Sequence, residues 1–314
     1  MNKALKILKD NFIYLAFIVV GLLPVFGLPN YQFYIVERGM QNALVVLSLV
    51  ILLGFTGQLS LGHAGLVAVG AYFYAITVKN YGFSPWISLI LAPVVTGLVG
   101  MLLAIPSFKL RGPFLVVNTI AFGEIVRILI LNAVDFTGGP FGLKGIKPLF
   151  SGVYLYYFML VVVLIFAIVT LRINKSHIGL AFKAIRDDEV AAEIIGVDVK
   201  KYKLLSFVIS SIFAGVSGVF FANLTGYLNP DSFTFEISST YLLMVVMGGM
   251  TSTTGGFLSA LLVTALPEVL RFLADYRMVI YGLILLIYIR FYKVLDIKKI
   301  FSKLNFKKGS EVVE

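Results

Sequence analysis

From residue 12 to residue 292 the chain alternates long apolar runs with short polar interruptions. A bilayer-crossing helix needs about 20 mainly apolar residues. Candidate spans fall at 12–28, 39–56, 59–78, 85–105, 114–134, 153–172, 204–224, 238–250, 255–271 and 277–292. The runs are continuously apolar and do not alternate with a period of two, so they read as helices and not as barrel strands. The pattern predicts an all-α integral membrane protein, a polytopic bundle of about eight to ten transmembrane helices. The eighth run is short and is joined to the ninth by "GGMTSTTGG", so these two are expected to be broken or re-entrant.

Composition agrees. Hydrophobic residues make up 59% of the 314 and charged residues 13%, with mean hydropathy +0.96. Soluble domains are closer to half apolar and a quarter charged, and continuous runs leave no room for a large soluble domain. There are no cysteines and only two histidines, which excludes thiolate chemistry and predicts no metal site. The basic, apolar N-terminus lacks an A-x-A-like cleavage site and reads as an uncleaved first span.

Charge sets the expected orientation. Lys3, Lys6 and Lys9 precede the first span. Lys175, Lys183, Arg186, Lys200, Lys201 and Lys203 follow the sixth. Lys293, Lys298, Lys299, Lys303, Lys307 and Lys308 lie in the tail. Ten crossings place all three groups on the cytoplasmic side. The expected organisation is a cytoplasmic N-terminus (1–11), a membrane domain (12–292) with a cytoplasmic loop at 173–203, and a basic cytoplasmic tail (293–314). The net charge of +10 is then a topology signal and an attraction to anionic lipid, and no nucleic-acid partner is expected.

Two interruptions stand out. "GFTGQLSLGHAG", 54–65, and "GGMTSTTGG", 248–256, are small, polar and glycine-rich between hydrocarbon runs. Irregular backbone at membrane depth is tolerated only where protein buries it or a wet cavity receives it. One reading is a tight cytoplasmic turn with small-residue packing. The other is a discontinuous helix beside a solute path, with Thr56, Gln58, Ser60, His63, Thr251 and Ser252 as candidate lining. A weak internal echo, "AFGEIVRIL" and "ALPEVLRFL", puts Glu124 three residues before Arg127 and Glu268 three before Arg271. The first is expected to be a buried intramembrane ion pair and the second to mark a helix end.

The loop "SHIGLAFKAIRDDEVAAEIIGVDVKKYKLL", 176–205, carries dense charge of both signs. Asp187 and Asp188 are expected to cap a short helix with Glu189 in its first turn. Val190, Ala191, Ile194 and Ile195 fall on one side, and Gly196 provides a stop. The small apolar face among acids favours a protein partner over lipid.

These residues carry a resemblance. "GQLSLGHAG", "LRGPFLVVNTIAFGEIVRILILN" with "TGGPFGLKGI", the 176–222 stretch, and "VMGGMTSTTGG" with "LPEVLR" resemble, in order, the permease subunits of branched-chain amino-acid ABC importers of the LivM type. Close relatives carry urea or short amides. The resemblance covers about 38–292 and implies alternating-access import. It also implies a second permease subunit, two cytoplasmic ATPases that hold ATP and Mg, an extracytoplasmic substrate-binding protein, and the inner membrane of a prokaryote. It places Asp188, Glu189, Ala191, Ala192 and Gly196 in the element that docks on the ATPase, although "EVAAEIIG" matches the general importer pattern only loosely. It also places 54–65 near the translocation path. No cofactor is expected in this chain, which has no G-x-x-x-x-G-K-[ST] stretch.

Two rival classes are weaker. A self-contained channel or secondary carrier for a small solute such as urea would need its own coupling-ion site. The clearest embedded acid, Glu124, has an arginine one turn away. An enzyme would need paired acids with a histidine, a metal cluster or an exposed nucleophile, and none is legible.

Overall fold

Proline and glycine set the boundaries of the helices. The computed structural model describes residues 16, 17, 20, 21, 30–108, 110, 112–150, 152–269, 282, 283 and 286. The long helices are α1 (Asn30–Leu49), α2 (His63–Lys79), α3 (Pro85–Ser107), α4 (Pro113–Asn132), α6 (Val153–Lys175), α9 (Val199–Thr225), α10 (Phe235–Gly248) and α11 (Thr253–Val269). Pro85 and Pro113 occupy first-turn positions, where a missing N–H costs nothing. A single turn, α5 (Val134–Thr137), and two short helices, α7 (His177–Asp187) and α8 (Glu189–Ile194), complete the helical set. Two-residue strands β1 (Leu143–Lys144) and β2 (Tyr227–Leu228) pair antiparallel, Leu143 with Leu228 and Lys144 with Tyr227.

The chain divides into two units, Met1–Glu268 and Val269–Glu314. In the second, residues 269, 282, 283 and 286 are described, and all are helical. The tenth candidate span, Arg271, the Glu268 side chain and the terminal segments 1–11 and 293–314 lie outside the described residues. Of the first span, Phe17 stacks on Phe257 with ring centroids 4.4 Å apart, and the Tyr156 hydroxyl donates to the Val20 carbonyl.

Five described helices are long and apolar enough to cross a membrane: α1 continued to Phe55, α3, α4, α6 and α9. With the shorter α2, α10 and α11, eight of the ten candidate spans contain one helix each. Their packing is unequal. Of its most apolar stretch, α1 has 94% buried, against 22% for α4. Thus α1 is enclosed, with α9, α6 and α10 packed against it, while α3, α4 and α6 expose broad apolar faces. Close approach is glycine-driven where α9 crosses α2 and α3. A Cβ at Gly70 would lie 2.7 Å from the Gly215 Cα, and one at Gly215 would lie 2.8 Å from the Pro93 Cα.

The main departure from the sequence reading is at α1. The helix begins at Asn30, not at 39, and so encloses Glu37 and Arg38. Charge lowers local hydropathy and hides the start. In the fold, Arg38 donates to the Gln41 side chain and lies 4.5 Å from the Phe221 ring centroid, and Glu37 is buried. Glu37 is therefore an embedded acid that hydropathy alone did not reveal.

Candidate functional site

The polar segment 54–65 breaks a membrane helix. The last six residues of α1, Val50–Phe55, widen into a π-helix, a local irregularity often found at functional positions. The chain then turns at Gly57, whose φ is +72°, and the Gly57 and Gln58 amides donate to the Leu53 and Leu52 carbonyls, each at 3.0 Å. Residues 57–62 run non-helically beside the end of α1, and α2 starts only at His63. The expected span 59–78 is thus part extended chain and part helix.

Gln58 and His63 reach partners on α9, while Thr56 and Ser60 are bonded locally. Gln58 Nε2 donates to Ser206 Oγ (2.7 Å) and to Thr56 Oγ1 (3.0 Å). Thr56 donates to the Leu52 carbonyl. His63 is fully enclosed. Ser210 Oγ donates to the Ser48 carbonyl at 3.0 Å, so it accepts from His63 Nε2–H at 2.9 Å. That leaves His63 Nδ1 to accept from the Ser60 hydroxyl at 3.0 Å. The orphan backbone amides are also met: Leu61 N–H donates to Thr119 Oγ1, and Ala64 N–H donates to Ser238 Oγ. One acceptor is left over. Gln58 Oε1 is buried without a hydrogen-bond partner, which is uncommon in native interiors.

Sequence reasoning missed the receiving residues Ser206 and Ser210. Their signal was present: two hydroxyls four apart lie on one face of an otherwise apolar helix. Ser217 extends the same face and accepts from Gln41 Nε2 at 2.6 Å. Replacing Ser210 with Ala should leave the His63 N–H and the Ser48 carbonyl without this partner. The expected cost is about 1–3 kcal/mol, read as a lowered unfolding midpoint in detergent, with Ser239→Ala on an exposed hydroxyl as the matched control.

The two glycine-rich interruptions meet. A Cβ on Gly54 would strike the Met250 carbonyl oxygen and lie 3.4 Å from the Thr251 Cα. The 249–252 turn positions Ser252 to accept from the Gly255 amide, while Thr251 is exposed. Arg186 of α7 joins the same corner by donating to the Gly54 carbonyl at 2.9 Å. Segment 54–57, the 249–252 turn and the α7–α8 loop therefore share one end of the bundle.

At that end, Asp188 caps α8 by accepting from Val190 N–H (2.8 Å) and Ala191 N–H (3.0 Å). Gly196, φ +88°, closes the helix, with the Val197 amide donating to the Ala192 carbonyl in a Schellman-type stop. Ala192 is buried, whereas Ala191, Val190, Ile194 and Ile195 are exposed. The preceding helix α7, which the sequence reading left undefined, adds exposed Leu180. Glu189 makes an ion pair with Lys203 at the start of α9, and the lysine is buried.

In the second half of α4, Arg127 meets Glu124 in a forked pair with contacts of 2.6, 3.0 and 3.1 Å. Arg127 Nη1 also reaches Asp231 at 3.4 Å. The pair is not enclosed by this chain: the Glu124 side chain is 47% exposed and that of Arg127 25%. A narrow pocket opens beside it, lined by Leu61, Ile120, Gly123, Glu124, Phe233 and Ser238 among others. Among the described residues no cluster of side chains is suited to hold a metal ion.

Comparison with known proteins agrees with this architecture. Residues 31–289 match the family model described as branched-chain amino acid transport system, permease component. The chain belongs to this family. It is 33% identical over 304 residues to the high-affinity branched-chain amino acid transport system permease protein LivM of Salmonella typhimurium, covering 87% of this chain and 72% of that protein. It is 35% identical over 266 residues to LivM of Escherichia coli, covering 75% of this chain and 63% of that protein. A more distant permease-family relative, the guanosine ABC transporter permease protein NupQ of Bacillus subtilis, is 27% identical over 54% of this chain and 59% of its own length. No solved structure matches.

Proposed function

We infer that this chain is a permease subunit of an ATP-driven importer that moves branched-chain, or related hydrophobic, amino acids across a prokaryotic inner membrane by alternating access. The observation that carries this reading is the family match along 31–289, which runs from the start of α1 past the end of α11. The chemistry is compatible: the apolar spans suit a branched aliphatic side chain, and a broken helix with buried hydroxyls suits a polar head. Nothing in the site favours the urea-channel alternative.

The expected assembly has a second permease, two ATPases that hold ATP and Mg, and an extracytoplasmic binding protein. The exposed apolar residues Val190, Ile194 and Ile195, presented by the capped helix α8, support a docking face for the ATPase. Asp188 and Gly196 shape that face, Glu189 ties it to α9, and Ala191 and Ala192 set its outer and inner surfaces. Among Thr56, Gln58, Ser60, His63, Thr251 and Ser252, the path reading is supported best at Gln58, whose carbonyl oxygen has unused capacity.

The test is reconstitution with the co-encoded subunits in proteoliposomes. ATP-dependent accumulation of leucine, isoleucine or valine, lost with Gly196→Arg because the ATPase no longer co-purifies, is the expected result. Solute passage by this chain alone would replace the importer reading with a channel or carrier. Gln58→Leu is expected to lower uptake while the complex stays assembled; unchanged uptake removes the break from the solute path.

A further inference from the structure

Charged groups on membrane helices face protein or water, because hydrocarbon cannot solvate them. Glu124 and Arg127 break that pattern within this single chain. Glu124 lies just past the midpoint of α4 and Arg127 lies one turn on. They are on the least buried of the long apolar helices, and both carry exposed side-chain surface. In the membrane this face must be covered by another subunit, by water, or by both in turn.

The surroundings distinguish these possibilities. Glu124 lines the pocket together with Leu61 of the broken segment and Ser238 of α10, and Arg127 is paired to it. Ser238 is also the residue that holds the Ala64 amide at the start of α2. The apolar lining from Ile120, Phe233 and Leu61 lies directly beside the two charges. The charges retain capacity. Arg127 spends Nε and Nη2 on Glu124 and reaches Asp231 only at 3.4 Å through Nη1, and a guanidinium has five N–H donors. An exposed carboxylate keeps lone pairs for an ammonium donor. A carboxylate and a guanidinium one helical turn apart, beside an apolar wall, match the head and side chain of an aliphatic α-amino acid.

We propose that Glu124 and Arg127 form the polar subsite for the zwitterionic head of the transported amino acid, Glu124 receiving the ammonium and Arg127 the carboxylate. The site is a wet path between α4 and the second permease subunit. Asp231 holds Arg127 in place from the adjoining loop. This proposal rests on the importer reading above and adds to it the residues that touch the cargo.

The absence of cysteine from the chain provides a direct test. Ile120→Cys places one thiol in the pocket and leaves the ion pair intact. In the reconstituted complex, with the wild-type complex as blank, a membrane-impermeant cationic methanethiosulfonate should modify this thiol. Substrate-loaded binding protein should slow the modification. Glu124→Gln, which keeps the side-chain volume closely, and Arg127→Gln, which removes the guanidinium, should each lower uptake roughly ten- to a hundredfold, the size of one lost charge-assisted hydrogen bond, with subunit stoichiometry unchanged.

Three results overturn the subsite. A thiol that reacts only after the subunits are separated makes the pair interfacial glue. A thiol unreactive in both states makes the face lipid-covered. A reactive thiol with unchanged uptake in both charge variants makes the path wet but the pair irrelevant to cargo. If the wild-type complex takes up no aliphatic amino acid, the importer reading fails instead, and the labelling result still stands by itself.

Discussion

Gly215→Val is expected to abolish recovery of folded protein. The α9 backbone at Gly215 lies against Pro93 and Thr96 of α3, where a Cβ would sit 2.8 Å from the Pro93 Cα and 2.9 Å from the Thr96 Cβ. From the other side, a Cβ on Gly70 of α2 would meet Gly215 backbone atoms, and one on Gly218 would meet the α2 backbone near Ala71. Three helices thus close on one point with no side chain free to swing away. Overpacking ordinarily costs about 1–3 kcal/mol where side chains can relax, and here one obstacle is the Pro93 backbone itself. In membranes, such close helix approach supplies much of the association energy. Gly97→Ala is the comparison, because its nearest neighbour is side chain and not backbone, Ile212 Cγ1 at 3.0 Å. Monodisperse yield in detergent should collapse for Gly215→Val and stay near wild type for Gly97→Ala. Equal yields would show that this crossing is plastic.

Lys203→Met should uncouple ATP hydrolysis from uptake and lower stability. The Lys203 side chain is 3% exposed and is paired with Glu189, which is 23% exposed. Removing one partner of a buried pair costs about 3 kcal/mol at the low end, since the remaining carboxylate must find water. Glu189 is the first residue of α8, and the Lys203 carbonyl accepts from Ser206 Oγ, the same hydroxyl that Gln58 donates to. The pair therefore ties α8 to α9, and α9 to the break at 56–63. The double variant Glu189→Gln/Lys203→Met should recover most of the stability but not the coupling, because the buried charge is gone and so is the tie. The measurements are the unfolding midpoint of the purified complex and the ratio of amino acid transported to ATP hydrolysed. An unchanged ratio in Lys203→Met would mean that α8 transmits its motion by another route.

Much of this architecture is written in local sequence. Apolar runs located eight helices of the described body, because lipid admits only backbones that satisfy their own hydrogen bonds. Asp188, Gly196 and the exposed face between them were legible for the same reason: caps and stops act within one turn. The glycine-rich breaks at 54–65 and 248–256 were visible as interruptions. The outcome at each was decided by groups far along the chain. Ser206, Ser210, Thr119 and Ser238 absorb the polar atoms of the first break, and Gly54 exists to let the Met250 carbonyl pass. The start of α1 was hidden because Glu37 and Arg38 lower local hydropathy, and only packing against Phe221 and Gln41 explains their place inside a helix. Spacing alone predicted that Glu124 would meet Arg127, since residues three apart share a helix face. Their exposure on the outer surface of the chain could not be read this way, because helical periodicity says which residues lie together and not which neighbour covers them. The sequence by itself determined a helical membrane body with two marked breaks and one capped short helix. Tertiary structure decided that the two breaks touch, that α9, α4 and α10 supply the partners for Gln58, His63 and the Leu61 and Ala64 amides, and that a charged pair on α4 is left partly exposed. Side-chain hydrogen bonds between distant segments depend on how helices cross, and crossing is a property of the whole packed bundle.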